Sequence, residues 1–185
     1  MMRMYTGRGD TGSTDLLGER TAKDDPRIEA LGALDEADSA MGLGRALAAD
    51  EQVKAAILAA QRDLYRIMAE LAFTPEVRPP DYSLGAERVT WLEEQTDALA
   101  ETVTLPREFV VPGESVPGAA LDVARTAARR AERRVVTVAH SGYAFSPAIL
   151  AYLNRLSSLL FIAARVEDAA RGGGVRRAKS EEITR

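Results

Sequence analysis

Along five separate stretches of this chain, apolar residues return every three or four positions, a period that fits helices and not strands. In the first stretch Ile28, Leu31, Leu34, Ala37, Met41 and Leu47 share one side, and Asp25, Pro26 and Glu29 supply a cap, a first helical position and an acidic first turn. Asp50 and Glu51 open a second helix carrying Val53, Ile57, Leu58, Leu64, Ile67, Met68 and Leu71. No helix crosses the proline-rich TPEVRPPDYSL at 74–84. A third helix is predicted from about Ala86 to Thr102, with Val89, Trp91, Leu92 and Leu99 on its apolar side. Residues 103–118, VTLPREFVVPGESVPG, read as irregular, with Phe109, Val110 and Val111 expected to be buried. A fourth helix is predicted from about Ala119 to Ala139, broken by Gly142, and a fifth from Ser146-Pro147 to about Ala170. At 1.5 Å per residue such helices are roughly 25–37 Å long. The expectation is an all-α five-helix bundle, one domain over residues 1–170, followed by a charged, unstructured tail at 171–185.

Composition narrows the chemistry. The 185 residues suffice for one sizeable core, and the scarcity of aromatics, 5%, beside abundant alanine and leucine favours helices. A net charge of −4 argues against a general nucleic-acid binder. With no cysteine and one histidine, thiolate metal sites, cysteine nucleophiles and multi-histidine metal sites within one chain are excluded. No apolar run was expected to approach the roughly 18 residues of a membrane span, and no secretory leader is read at the N-terminus. These features point to a cytoplasmic protein with no membrane partner.

Two stretches carry candidate chemistry. The first, YTGRGDTGSTDLLGERTAKDD at 5–25, is rich in glycine and hydroxyls. It is not a P-loop, which needs GxxxxGK[ST] between a strand and a helix. Gly7, Gly9 and Gly12 allow backbone N–H groups to converge on an anion, Ser13 and Thr14 add hydroxyl donors, and Arg8 and Lys23 add charge. A mobile terminal segment is the competing reading. The second stretch is ARTAARRAERRVV at 124–136. On a helix Arg125, Arg129, Glu132 and Arg133 share one face, with Arg130 and Arg134 beside it. Such a row either is a solvated face neutralised by nearby acids or is a clamp for phosphate, which guanidinium groups bind bidentately.

Together the stretches resemble the PduO-type ATP:cob(I)alamin adenosyltransferases over about residues 3–168. The opening YTGRGDTGSTDLLGERTAKDDPRIEALGALDEADSAMG carries the resemblance, with TWLEEQTD at 90–97, FVVPG at 109–113, ARTAARRAERRVV at 124–136 and YLNRLSSLLFIAAR at 152–165 in the family's order. The resemblance implies transfer of the 5′-deoxyadenosyl group of ATP to cob(I)alamin in a homotrimer with active sites between subunits. It implies that Thr6, Gly7, Arg8, Gly9, Asp10, Ser13 and Thr14 wrap the triphosphate and that Lys23 pairs with it. Arg129, Arg130, Glu132, Arg133 and Asn154 match nucleotide-contacting positions. Phe109 matches the aromatic residue that displaces the lower axial ligand of cobalt, and Asp35 matches a partner for Arg125 of an adjacent subunit, near the corrinoid. Mg²⁺ with ATP is implied, its protein ligands unassigned; no flavin or nicotinamide is expected. A corrinoid reductase and a downstream B12-dependent enzyme are the implied partners. This chain departs from the family's pattern at Gly7-Arg8, Thr11, Glu114 and Ser158. His140, at a helix end, is read as a C-terminal cap partner of the helix dipole rather than a cobalt ligand. The rival readings are a non-catalytic trimeric bundle that binds ATP or corrinoid as sensor or carrier, and an RNA-binding module, the latter disfavoured by net acidity and by the lack of aromatics among the arginines.

Overall fold

A computed structural model describes residues 5–105, 108–172 and 176–179. The described residues form a short hairpin and five α-helices: β1 (Ser13–Leu16), β2 (Glu19–Ala22), α1 (Pro26–Leu47), α2 (Glu51–Ala72), α3 (Ala86–Ala100), α4 (Val116–His140) and α5 (Ala148–Ala170). The two caps expected at the first helices are in place. Asp25 accepts from the Arg27 N–H, and Asp50 accepts from the N–H groups of Gln52 and Val53. Helix α4 begins three residues before its expected start. The Ser115 hydroxyl accepts from the Gly118 N–H, and Pro117 occupies the first turn, where a missing N–H costs nothing.

Within the glycine-rich stretch 5–25, where no strand was predicted, residues 13–22 form a hairpin. β1 and β2 pair antiparallel from Ser13↔Ala22 to Leu16↔Glu19, and Gly18 turns the chain with φ 114°. Strands of four mostly polar residues, STDL and ERTA, carry little apolar alternation, so the hairpin has no clear signature in sequence. It is tied to the end of α2: the Leu17 N–H donates to the Ala72 carbonyl at 3.1 Å and the Thr74 N–H donates to the Leu17 carbonyl at 3.0 Å. Arg27 adds an ion pair to Glu19 and lies 4.7 Å from the centre of the Tyr143 ring.

The bundle packs α1 on α4, α4 on α5, α5 on α3 and α1 on α2. Helices α1 and α4 run antiparallel. Arg134 meets Glu29 (3.1 Å) and Arg130 meets Glu36 near one end, while Gly44 meets Leu121 near the other. A Cβ at Gly44 would stand 2.6 Å from Leu121 Cδ2, so glycine lets these helices approach closely here. The bundle therefore has a hairpin end, where α4 finishes, and an opposite end, where α4 begins and the Glu167 carboxylate accepts from the Ala49 and Asp50 N–H groups. The buried polar side chains each find at least one partner, although Arg27 Nη1 and Arg165 Nε have none among the described residues. Asp63 accepts from Arg88 Nε at 3.0 Å and from the Tyr152 hydroxyl at 2.8 Å, and burial, aided by that carboxylate, pushes the Tyr152 pKa up. Arg88 also stacks 4.1 Å from the centre of the Trp91 ring, which accounts for the tryptophan in TWLEEQTD.

Two expectations fail. Helix α5, 23 residues with a mean hydropathy of 1.4, is long and apolar enough to cross a membrane, although no such run was expected. Here that character serves the core, for 67% of the window is buried in the bundle. Phe109, expected in the interior, is 90% exposed, and Val111 is exposed beside it. The strip 108–114 runs outside the helices, and its partner is a piece of the tail expected to be unstructured: Arg177 bridges to Val110. The remainder of that tail, 173–175 and 180–185, lies outside the described residues.

Candidate functional site

The arginine face grows from the buried polar chain at the start of α4. The Ser115 hydroxyl donates to Asp168 at 2.6 Å, Asp168 holds Arg165 at 3.0 Å, and Arg165 donates to Asp122 at 2.6 Å. Asp122 then accepts from Arg125 Nε at 2.9 Å. Apart from Arg125, which is partly exposed, these residues are buried. Each charge has an opposite neighbour, the condition under which buried ions are tolerated. The result is an Arg125 fixed through Nε, partly exposed, whose two terminal nitrogens have no partner among the described residues.

Arg125 and Phe161 form the wall between two hollows. One, of about 380 Å³, is lined also by Phe109, Val110, Pro112 and Asp122. The other, of about 310 Å³, is lined by Arg129, Ser157, Ser158 and Ile162. Phe109, Arg125 and Arg129 are thus brought to one surface. The rest of the row divides. Arg130 and Arg134 are engaged by Glu36 and Glu29 of α1, which fits the neutralised-face reading for that side of α4. Arg129 and Arg133 have no carboxylate within ion-pair distance among the described residues, and Arg133 Nη1 donates only to the Arg129 carbonyl at 2.9 Å. Two exposed guanidinium groups one turn apart repel each other and leave a site for an anion. Asn154 stands alongside with its amide orientation fixed. Its Nδ2 donates to Glu132 at 3.1 Å, and its Oδ1 accepts from Arg155 Nη1 at 2.7 Å while Arg155 Nε donates to Glu93 at 2.8 Å.

The glycine-rich segment folds as a cradle. Gly7 (φ 71°) and Gly12 (φ 81°) adopt left-handed conformations, and successive turns link Asp10 to Gly7 and Gly12 to Gly9. The Lys23 N–H closes the loop on the Gly12 carbonyl at 2.8 Å, and its Nζ would stand 3.1 Å from a Cβ at Gly9. The ammonium group therefore lies across the glycine loop, as a phosphate site would need. Thr6 Oγ1 accepts from the Arg8 N–H at 3.3 Å, the Arg8 carbonyl is held by Arg20 at 2.6 Å, and Ser13 and Thr14 open β1 at the cradle's edge.

Among the described residues no hydrogen bond or ion pair joins the cradle to Arg125, Arg129 or Arg133. Arg130 and Arg134 lie towards the hairpin end, to which the cradle belongs, whereas Arg125 lies about 20 Å back along α4 at 1.5 Å per residue. Asp35 is exposed on α1, and the acid paired with Arg125 in the chain is Asp122. Beside Asp35, the half-buried Asp38 has its pKa raised, first by desolvation and also by the Asp35 charge, against the lowering effects of Gln61 and Arg45. Among the described residues no group of three or more metal-ligating side chains occurs. Sequence reasoning passed over Asp122 and gave Phe161 no role. An acid in an apolar stripe, three residues before Arg125, was the available signal for the first. Nothing in sequence marks Phe161 out from its apolar neighbours on α5.

Residues 4–167 match the family described as cobalamin adenosyltransferase. The chain is 40% identical over 177 residues to the corrinoid adenosyltransferase of Bacillus subtilis, covering 94% of this chain and 90% of that one. It is 38% identical over 170 residues to the corrinoid adenosyltransferase PduO of Salmonella typhimurium, covering 91% of this chain, and it spans 50% of that relative's length. Among solved structures, a phenylalanine-to-alanine variant of a PduO-type ATP:corrinoid adenosyltransferase from Lactobacillus reuteri, complexed with cobalamin and ATP, aligns with a TM-score of 0.87 at 28% identity, covering 96% of this chain and 100% of the other.

Proposed function

The chain belongs to the cobalamin adenosyltransferase family, and from that premise we propose that it is an ATP:corrinoid adenosyltransferase whose sites are completed between the subunits of a homotrimer. The reaction forms a bond from cobalt to the ribose C5′ of ATP and breaks the C5′–O bond, so that cob(I)alamin gives adenosylcobalamin and triphosphate departs. Cob(I)alamin supplies the electron pair and needs no base or nucleophile from the protein, in keeping with a chain that has one His and no Cys. The protein's work is alignment and stabilisation of the leaving charge.

The observation that carries this reading is the shared wall of Arg125 and Phe161, which sets Phe109 and Arg129 on adjoining hollows. In this reading the hollow beside Phe109 takes the corrinoid, with the exposed ring replacing the lower axial ligand of cobalt. Arg129, Arg133 and the oriented Asn154 take the nucleotide. A cradle from a neighbouring subunit, with Lys23, Asp10 and the backbone of Thr6 to Thr14, closes on the triphosphate. Both halves are cationic, so the triphosphate neutralises both at once. Arg130 serves the same nucleotide only after release from Glu36. Asp35 of a neighbouring subunit meets the terminal nitrogens of Arg125. Mg²⁺ arrives with ATP; the side chains present offer isolated carboxylates rather than a cage, which suits an ion held chiefly by phosphate oxygens and water. The setting is cytoplasmic, with a reductase supplying reduced corrinoid and a B12-dependent enzyme receiving the product.

Addition of ATP to the protein and chemically reduced cob(I)alamin should abolish the Co(I) absorbance and yield adenosylcobalamin with stoichiometric triphosphate. Binding of both ligands with the Co(I) spectrum intact would instead establish a sensor or carrier.

A further inference from the structure

Phe109 presents a problem of position. It is 90% exposed, so no core packing fixes its ring. Its backbone is held from outside the helical bundle. The Ala178 N–H donates to the Phe109 carbonyl at 2.8 Å and the Val111 N–H donates to the Arg176 carbonyl at 2.8 Å, flanking the antiparallel bridge between Val110 and Arg177. Two ion pairs straddle this bridge: Arg176 with Glu114 at 3.0 Å and Arg177 with Glu108 at 3.7 Å. Glu114 is the residue that stands where the family's pattern commonly has a second glycine, and its partner lies beyond the family match, which ends at residue 167. The same tail residues build a second hollow of about 410 Å³, lined by Glu108, Phe109, Ala178 and Lys179, so Phe109 stands between this hollow and the one it shares with Arg125.

We propose that residues 176–179 are a positioning strand for Phe109, and that Glu114 and Arg176 form its latch. The inference rests on the proposed role of Phe109 in displacing the lower cobalt ligand. Backbone pairing sets the register of 109–111, and register decides which face of the strip a side chain occupies. Both arginines are solvent-exposed, Arg176 at 72% and Arg177 at 63%, while Glu114 is exposed to only 20%, so each ion pair contributes modestly alone. A strand held by two backbone bonds and such pairs opens readily, as a segment that admits and then encloses a large planar substrate must.

The test uses the full-length protein, a truncation after Gly172, Arg176→Glu, and the charge swap Glu114→Arg with Arg176→Glu. The truncation leaves all five helices intact, so melting temperature and ATP affinity should match the full chain. Two readouts follow the proposal. Hydrogen exchange at the Val111 amide without ligands should lose protection on truncation and in Arg176→Glu, and recover in the swap. The EPR signal of four-coordinate Co(II) with ATP should fall about tenfold in the first two variants, as for a misplaced reacting group, and recover in the swap. A truncated protein with wild-type exchange or a wild-type Co(II) signal overturns the proposal. Phe109→Ala with an undiminished signal would sink the underlying role of Phe109 instead, and the two failures are therefore distinguishable.

Discussion

Arg129 and Arg130 are neighbours in sequence and face different surroundings in the fold. Arg130 reaches across to Glu36 on α1, whereas Arg129 lines the hollow next to Arg125 without an acid partner among the described residues. An exposed guanidinium with no carboxylate adds nothing to folding, so its removal should be felt in function. Arg129→Ala is expected to melt within a degree or so of wild type, as surface substitutions do. It should lose about 2.7–4 kcal/mol of transition-state stabilisation, read as a fall of roughly 10²–10³ in kcat/KM for ATP. Near-normal kcat/KM in steady-state assays would remove Arg129 from the triphosphate site.

At the scale of elements, the start of α4 and the end of α5 are one unit. Gly118 is where they touch most closely: a Cβ there would stand 2.1 Å from Asp168 Oδ1 and 2.8 Å from Ser115 Oγ. Neither atom can give way freely, because Asp168 is committed to Ser115 and Arg165. Gly118→Ala should therefore break the cap of α4 and disturb the buried chain that ends at Arg125. The cost should be about 2–4 kcal/mol, as for loss of a cap together with a buried charged hydrogen bond. That corresponds to a melting point lower by about 5–15 °C, at roughly 2–4 °C per kcal/mol for a chain of this size. Calorimetry showing an unchanged transition would mean that the junction is softer than its geometry implies. The same chain explains why the residue before the site matters: Asp122 holds Arg165 on one side and Arg125 on the other.

For the whole molecule, a second copy is proposed because no hydrogen bond or ion pair among the described residues joins the cradle to Arg125, Arg129 or Arg133. A trimer is expected by sedimentation, and a fully active monomer would contradict it. Asp35 and Arg125 give the sharper test. If they meet across subunits away from water, loss of either strands the other charge, at about 3–5 kcal/mol. Asp35→Asn and Arg125→Ala should each damage kcat/KM for cobalamin far more than ATP affinity, and the double variant should be little worse than either alone. Strict additivity would show that the two do not interact, leaving Asp122 as the sole acid that serves Arg125.

Much of the bundle was legible because helical period and caps are local properties. The stripes from Leu34 to Met41 and from Val53 to Leu71, and the caps Asp25 and Asp50, depend on neighbours within one or two turns and fold where their spacing places them, whereas Leu47, read on the first stripe, is exposed. The grouping of Lys23 with the glycine loop was legible for the same reason, being a matter of a dozen residues. Distance in sequence hid the rest. That Phe109 lies outside the core was decided by a partner strand nearly seventy residues further on, and an apolar triplet reads alike whether a helix or a strand covers it. That Arg130 is paired with Glu36 while Arg129 has no acid partner among the described residues was decided by which side of α4 faces α1. Asp122 became a support for Arg125 only when α5 delivered Arg165 to it, because a buried carboxylate takes its role from the charge that packing sets against it.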